Sequence, residues 1–392
     1  MAKQKSQLIV SGTIVYGDDF EDREGYAVIE GGKIKEIGEG GKIEADVTGI
    51  VIPSFVNAHT HIGDSTAKEP DFMPLDMLVG PGGYKHKILA ETSHNELVSS
   101  MKDSIEDIFA TGTGLFADFR EGGVLGIKAL KEAFDSAECR DKLDMKIFGR
   151  PEAGTETDEL RITNYELRIF ESADGIGISS VADYPWEDVK RLAAEAAKRE
   201  GKMFALHAGE RNAEDVEGAI ELEPDFIVHL TKASQQDFER MRDKNIAAVV
   251  CIRSNLVTGM GLPPLRQMLK SGLTVGVGTD NVMLNSPDMF SEMEFIAKIF
   301  RKLDERKVLK MCTLDSAKVL KEDKFVGSIE EGKTANLVVI RNDTPNMRGV
   351  RNSIRGVVRR ATRNDIAAVI YEGEIKQVSG FRAFKQIRGL VS

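Results

Sequence analysis

Apolar and polar positions along the chain change their period twice, and the two changes divide it into three stretches. Over residues 7–50 the period is two: QLIVSGTIVYG, an acidic turn over residues 18–24, then YAVIE and KIKEIG on either side of Gly31 and Gly32. Alternation about a Gly-Gly pair is a hairpin signature, since strand side chains alternate faces and paired glycines supply a tight turn. Nothing here has helical spacing. From residue 51 short apolar runs alternate with amphipathic stretches. The runs fall at residues 51–57, 112–119, 145–150, 174–180, 202–207, 225–229, 246–252 and 273–280. Residues 186–201, WEDVKRLAAEAAKREG, show the helical counterpart, with Pro185 before them, acids in the first turn and Gly201 as a stop. After a last helical region, residues 288–320, period-two patterning returns in VGSIEEGKTANLVVI and AAVIYEGEIKQV.

Continuous apolar strands interleaved with helices imply a parallel sheet covered on both faces. Eight such units between residues 51 and 325 suit a closed (β/α)8 TIM-like barrel. An open doubly wound sheet is the alternative, but no G-x-G-x-x-G follows the first strand. The two β-patterned ends are expected to combine into one small β-sandwich domain. The expected division is therefore 1–50 and 326–392 for that domain, with 51–325 for the barrel.

Composition narrows the class. Charged residues make up 30% and hydrophobic residues 41%, ordinary for a soluble globular protein. No apolar run reaches the roughly 20 residues that span a bilayer, so no membrane partner is expected. The start, MAKQKSQLIV, has no long apolar core or small-residue cleavage site, and no signal peptide is read there. Cys139, Cys251 and Cys312 are scattered without a C-x-x-C pair and are expected to be reduced, buried thiols of a cytoplasmic protein. A net charge of −10 argues against a nucleic-acid backbone as partner. Residues 348–363, RGVRNSIRGVVRRATR, are locally basic, but no aromatics are interleaved, and a solvated face or subunit contact explains them better than RNA.

The candidate chemistry sits at the strand ends. Residues 51–61 read VIPSFVNAHTH, ending in His59 and His61 at spacing i, i+2, which on a strand places both on one face. An isolated H-x-H reads equally as two unrelated polar residues leaving a strand. Yet four of the six histidines (His59, His61, His207 and His229) stand at the carboxyl ends of strand candidates, and Asp280 ends the eighth. Active sites of such barrels are built from that rim. Imidazole and carboxylate suit Zn2+ or Fe2+, and a metal lowers the pKa of a bound water from about 15.7 towards 7, giving hydroxide. Glu210, in HAGE, is placed to act as general acid and base; the other reading is an acid opening the next helix. The long Gly- and Pro-rich loop over residues 63–86 is expected to be either a lid or an insertion.

H-T-H after the first strand, HAGE after the fifth, His229 after the sixth and GTDN after the eighth resemble the metal-dependent amidohydrolase superfamily. The likeness is nearest to its deaminase and chlorohydrolase branch, which includes cytosine, guanine and adenosylhomocysteine deaminases. CIRSNLVTGMGLPPLRQMLKSGLTVGVGTDN is similar to that branch, whose members often read C-P-x-S-N; here Ile252 replaces the proline. GSIEEGKTANLVVI resembles its return into the small β domain. The resemblance implies His59, His61, His207 and Asp280 as ligands of one divalent metal ion, Zn2+ or Fe2+. Asp280 would also accept a proton, His229 would hydrogen-bond the water or the reacting group, and Glu210 would protonate the ring nitrogen. Binuclear members carry a lysine near the end of the fourth strand, and DGIGISSVAD has none, so a single ion is expected.

His86, Arg120, Glu121, Arg150 and Asn255 are the candidate substrate contacts, with Lys85 and Ser254 beside them. Arg120 and Arg150 read either as bidentate partners of a carboxylate or phosphate or as ion pairs packing the rim. Asn281 reads as orienting Asp280 or capping a turn, and His94 as part of a helix start. The expected function is hydrolytic release of ammonia from an amino-substituted nitrogen heterocycle: a purine, pyrimidine, pterin or nucleoside derivative, attacked by metal-bound hydroxide. Two rivals stand beside it: a ring-opening hydrolase resembling imidazolonepropionase, and a non-catalytic barrel acting as a scaffold. By analogy a homo-oligomer is expected.

Overall fold

The computed structural model describes residues 7–40, 44–151 and 168–378. The outer ends of the two terminal segments, residues 1–6 and 379–392, lie outside the described residues. In chain order the strands are β1 (Leu8–Tyr16), β2 (Glu21–Glu30), β3 (Lys33–Glu39), β4 (Val47–Pro53), β5 (Phe55–His61), β6 (Thr113–Arg120), β7 (Asp144–Gly149) and β8 (Gly175–Ile178). They continue with β9 (Met203–Ala208), β10 (Phe226–His229), β11 (Ala247–Val250), β12 (Val275–Val277), β13 (Asp280–Asn281), β14 (Leu337–Ile340), β15 (Ile366–Tyr371) and β16 (Glu374–Val378). Among the described residues these form two sheets.

Both chain ends build one sheet of seven strands, ordered β16-β15-β14-β4-β1-β2-β3. The Gly31-Gly32 hairpin joins β2 to β3 as expected. Residues on β4 alternate: Val51 packs with Val10, Ile14 and Leu337 inside this unit, whereas Ile50 and Ile52 join the main core. A sheet clamped on both faces is tied to its neighbour by ordinary side-chain burial.

The second sheet is parallel and curled, ordered β12-β11-β10-β9-β8-β7-β6-β5-β13. Along its strands, one set of residues faces inward (Val56, Ala117, Phe119, Phe148, Ala205, Phe226, Val228), and the alternate set packs under the helices (Phe116, Ile147, Ile176, Leu206, Ile227). Both faces are dry, which is why these strands read as unbroken apolar runs. Each fully buried phenylalanine contributes roughly 1.5–3 kcal/mol of transfer free energy. β13 continues β12 past Gly278 and Thr279, then pairs with β5, Asp280 opposite Thr60. The side chain of Asn57 fastens this seam, donating to Thr279 Oγ1 at 2.8 Å and accepting from Thr279 N at 3.1 Å. Gly278 is required there: a Cβ would lie 2.6 Å from that of His59.

One expectation needs correction, and two other stretches gain definition. The run at residues 51–57 is not one strand. β4 belongs to the terminal sheet and β5 to the parallel one, with Ser54 N bonded to Asn336 O and Phe55 N to Gly112 O at the changeover. Both halves are buried almost throughout, and so is Ser54 between them, so no exposed residue marks the junction. Residues 63–86 are not structureless, since a 3-10 turn (Ile62–Thr66) and helices Leu75–Leu78 and Tyr84–Glu91 strap this segment across the rim. The middle of the basic stretch is a helix, Ser353–Arg360, whose Ile354, Val357 and Val358 are buried while Arg355 and Arg359 pair with Glu305, in keeping with a solvated face. No helix among the described residues is long and apolar enough to cross a membrane. All three cysteines are buried and unpaired.

Candidate metal centre

Two backbone irregularities aim the histidines inward. On β5, Val56 pairs with Leu115 and Asn57 with Phe116, but Thr60 pairs with Asp118. The extra residue in that interval is a bulge, and it reverses the facing of everything after it. Thr60 consequently turns to Asp118, whose Oδ1 it meets at 3.0 Å, and His59 and His61 turn to the inside. On β10, Phe226 and Val228 face inward, so strict alternation would send His229 outward. His229 instead has φ +74 and Leu230 φ +55. Left-handed backbone at non-glycine residues costs on the order of 1–3 kcal/mol and is held where the surroundings over-determine it. Asp280, at φ +61, is held the same way. His207 needs no such device, as it follows Met203 and Ala205 on the inward face of β9.

Four side-chain atoms converge. His207 Nε2 lies 3.2 Å from His59 Nε2 and 3.4 Å from His61 Nε2, and Asp280 Oδ1 lies 3.2 Å from His59 Nε2 and 3.6 Å from His61 Nε2. Hydrogen bonding fixes two of the tautomers. His61 Nδ1 donates towards Phe119 O (3.0 Å) and Glu121 Oε1 (2.9 Å), and His207 Nδ1 donates to Ile178 O (2.8 Å). Their Nε2 atoms therefore carry lone pairs that face each other, an arrangement that repels unless a cation lies between. Corners about 2.0–2.1 Å from the centre of a tetrahedron stand about 3.3 Å apart, close to the 3.2–3.6 Å of these four pairs. The residues present fit a divalent ion. Burial, with help from Lys85, pushes the His61 imidazole down to about 3, and burial likewise lowers His59 and His207, so all three are neutral donors at neutral pH. Burial alone would raise Asp280, but the hydrogen bond with His59 and the surrounding imidazoles hold its carboxyl well below the usual range.

A second grouping, His229, Cys251 and Asp280, also brings its polar atoms within 4.8 Å. Cys251 is the reduced, buried thiol expected from the sequence. Burial and the neighbouring carboxylates push its thiol well up, so it keeps its proton and is a poor ligand. His229 Nδ1 is occupied by Asn255 Nδ2 at 3.0 Å, and its Nε2 lies 3.5 Å from Glu210 Oε2. Burial raises the Glu210 carboxyl, the direction that favours a proton-carrying acid. Glu210 does not open a helix: it sits in the bend after β9, and the next helix starts at Val216.

A cavity of about 430 Å³ opens above these residues, floored by His61, His207, Glu210, His229 and Asp280. Lys85 and Arg150 line it. The other expected substrate contacts lie elsewhere. Arg120 is buried beneath Gly63, its guanidinium engaged by Glu121 Oε2 at 2.6 Å and Met101 Sδ at 3.2 Å. Glu121 stands behind His61 and accepts from Lys85 Nζ at 2.6 Å. His86 turns its Nδ1 to the Gly80 carbonyl at 2.9 Å, and Asn255 is fully buried behind Glu210 and His229. Asn281 donates to Asp64 Oδ2 at 2.7 Å rather than to Asp280. His94 begins the helix His94–Ala110 and pairs with Glu132 on the surface. Asp64 went unremarked in the sequence, where an acid three residues past His61 in a polar loop carries no signal.

Known proteins resemble this chain in sequence and in fold. The chain is 36% identical over 382 residues to an uncharacterized protein of Methanocaldococcus jannaschii, covering 92% of this chain and 96% of the relative. It is 28% identical over 387 residues to a 5-methylthioadenosine/S-adenosylhomocysteine deaminase of Thermoanaerobacter pseudethanolicus, covering 88% and 87%. The crystal structure of an adenosine deaminase from Xanthomonas campestris with bound zinc superposes with a TM-score of 0.78 at 18% identity, covering 95% of this chain and 93% of that one. Residues 50–378 match the model described as the Amidohydrolase family. The chain thus belongs to the amidohydrolase family, and is a hydrolase acting on carbon–nitrogen bonds.

Proposed function

We propose that the protein is a mononuclear metal-dependent deaminase that hydrolyses the exocyclic amine of an amino-substituted nitrogen heterocycle. The observation that carries this reading is the meeting of three neutral imidazole nitrogens and one carboxylate oxygen at 3.2–3.6 Å, with Glu210 and His229 on the adjoining wall of one cavity. His59, His61, His207 and Asp280 would hold one divalent ion, zinc in preference to iron because the solved relative carries zinc. When bound, such an ion supplies Lewis acidity that makes water a nucleophile near neutral pH.

The chain's own residues handle the protons. Asp280 Oδ1 takes the proton released by the attacking water. Glu210 delivers its carboxyl proton to a ring nitrogen beside the reacting carbon, then recovers a proton and passes it to the departing amine. His229, with its proton on Nε2, donates a hydrogen bond to the attacking oxygen. Water and the C–NH2 group become C=O and ammonia. The cavity, at about 430 Å³, has room for a purine or pyrimidine and for a sugar attached to it.

We further read the architecture as a closed (β/α)8 barrel over residues 51–325, with a small β-sandwich from residues 1–50 and 326–392; the pairing of β13 with β5 supports closure, and β4 moves the first boundary to Ser54. Three unpaired buried thiols support a cytoplasmic location.

The test is ammonia release by zinc-loaded protein from a panel of 5-methylthioadenosine, S-adenosylhomocysteine, adenosine, guanine and cytosine. One mole of ammonia per mole of oxo product supports the reading. A ring-opened product, or no turnover of any amino-heterocycle by protein that holds zinc, overturns it.

A further inference from the structure

Residues 253–255 are consecutive in the helix Ile252–Val257, and each grips a different part of the molecule. Arg253 anchors the helix: Nε donates to Glu292 Oε1 at 2.6 Å and Nη2 to the Ser286 carbonyl at 2.7 Å, with Glu292 fully buried. Ser254 Oγ donates to Asp280 Oδ2 at 2.5 Å, leaving Oδ1 as the oxygen nearest His59 and His61. Asn255 Nδ2 lies 3.0 Å from His229 Nδ1 and 3.5 Å from Glu210 Oε1. Ser254 and Asn255 are fully buried and neither lines the cavity.

We propose that this Ser-Asn pair positions the two halves of the centre separately: Ser254 sets the carboxylate of Asp280 for the cation, and Asn255 sets the tautomer of His229 for proton traffic with Glu210. The inference rests on the metal-dependent reading above. Chemistry selects the amide orientation. Once Glu210 has delivered its proton its carboxylate only accepts, so in that state the end of Asn255 turned to Glu210 is its NH2. The same nitrogen faces His229 Nδ1, which therefore carries the lone pair, and the imidazole proton sits on Nε2, 3.5 Å from Glu210 Oε2. Asn255 Oδ1 is left buried with no hydrogen-bond partner among the described residues. A buried acceptor goes unsatisfied only where the alternative is worse, and here the alternative sets two acceptors, Asn255 Oδ1 and the Glu210 carboxylate, against each other.

Ser254 works on the other half. Without its hydroxyl, Asp280 Oδ2 loses its closest donor, and the carboxylate is free to rotate away from the imidazoles. Partners of this kind behind a metal ligand are typically worth about 10–100-fold in affinity. Both residues are positioning residues, acting through Asp280 and through His229 and Glu210.

Two measurements on the full chain test this without a substrate: zinc affinity by chelator competition, and the histidine tautomers by 15N NMR. Ser254→Ala is expected to weaken zinc about 10–100-fold while His229 stays protonated on Nε2. Asn255→Asp, of equal size but accepting where the amide donates, is expected to bind zinc no more weakly than wild type and to place a proton on His229 Nδ1. Each variant's unaltered property shows that it is folded. Wild-type zinc affinity in Ser254→Ala, or an unprotonated Nδ1 in Asn255→Asp, overturns the inference alone. A wild type that binds no zinc overturns the metal-dependent reading together with it.

Discussion

Glu121 Oε1 lies 2.9 Å from His61 Nδ1, and the same carboxylate is held by Lys85 Nζ at 2.6 Å and Arg120 Nη2 at 2.6 Å. A residue expected to meet substrate thus stands behind a candidate ligand, fixing its ring and tautomer. Burial opposes a charge there, but Lys85, His61 and Arg120 together hold the carboxyl well below its ordinary value. Glu121→Gln should therefore weaken zinc about tenfold or more by chelator competition. It should also destabilise the fold, by at most about 3–5 kcal/mol, because Lys85 and Arg120 lose their closest counter-ion and keep only Asp64 at 3.4 Å and Asp118 at 3.6 Å. Unchanged zinc affinity would remove Glu121 from the centre's support.

Direct ligation and proton transfer separate cleanly in HAGE. His207→Ala should lose both bound zinc and turnover. Glu210→Gln should keep zinc and lose turnover by about 10²–10⁴-fold, the usual contribution of a general acid–base group. Metal content by elemental analysis beside ammonia release distinguishes the two. Near-normal activity in Glu210→Gln would end its assignment as proton carrier.

Acid should weaken the metal-free protein through the imidazole of His61. His61 has an ordinary value of 6.5 and a folded value of about 3, set by burial first and Lys85 second. Below pH 6.5 the unfolded chain takes up a proton that the folded state refuses, so stability is full above that pH and declines towards about 3. At about pH 5 this one site removes on the order of 2 kcal/mol. Urea midpoints of chelator-treated protein at neutral pH and at about pH 5 measure it. Because Asp64, raised by burial to about 6, shifts stability the other way, His61→Gln is measured beside it, and a variant with the wild-type pH dependence would show that the imidazole is not held neutral.

Beneath the centre, the Arg253–Glu292 pair is closed from water, with Nε and Oε1 2.6 Å apart. Breaking one partner leaves a buried charge alone, which typically costs about 3–5 kcal/mol. Glu292→Ala should lower global stability by that amount in chemical denaturation, while Arg253→Met with Glu292→Met should recover much of it. If the double variant is as unstable as the single one, lost packing rather than an orphaned charge is responsible.

Much of the candidate centre was legible because strand geometry is local. Spacing i, i+2 places His59 and His61 on one side whatever the rest of the chain does, and the apolar runs before His207, His229 and Asp280 place all three at carboxyl ends of parallel strands. Periodicity also marked the β-patterned termini, the Gly31-Gly32 hairpin and the helix after Pro185. Long side chains were another matter. Arg120 and Glu121 follow β6 as Arg150 follows β7, yet only Arg150 lines the cavity, because Met101 and Gly63, far off in sequence, enclose the Arg120 guanidinium.

Hydrophobic period and strand-end chemistry, both carried by neighbouring residues, were enough for a helix-covered parallel sheet with a histidine-rich rim. Which way the rim histidines point was settled by the bulge between Asn57 and Thr60 and by the left-handed backbone at His229. Plain alternation from Phe55 would have turned His59 and His61 into the helix layer. The same holds for the break at Ser54, where β4 and β5 part to different sheets although both are buried almost throughout. Such choices depend on which distant segment supplies the hydrogen bonds, Asn336 and Gly112 at Ser54 and Phe55, Asp118 at Thr60. Only the assembled chain brings those partners together.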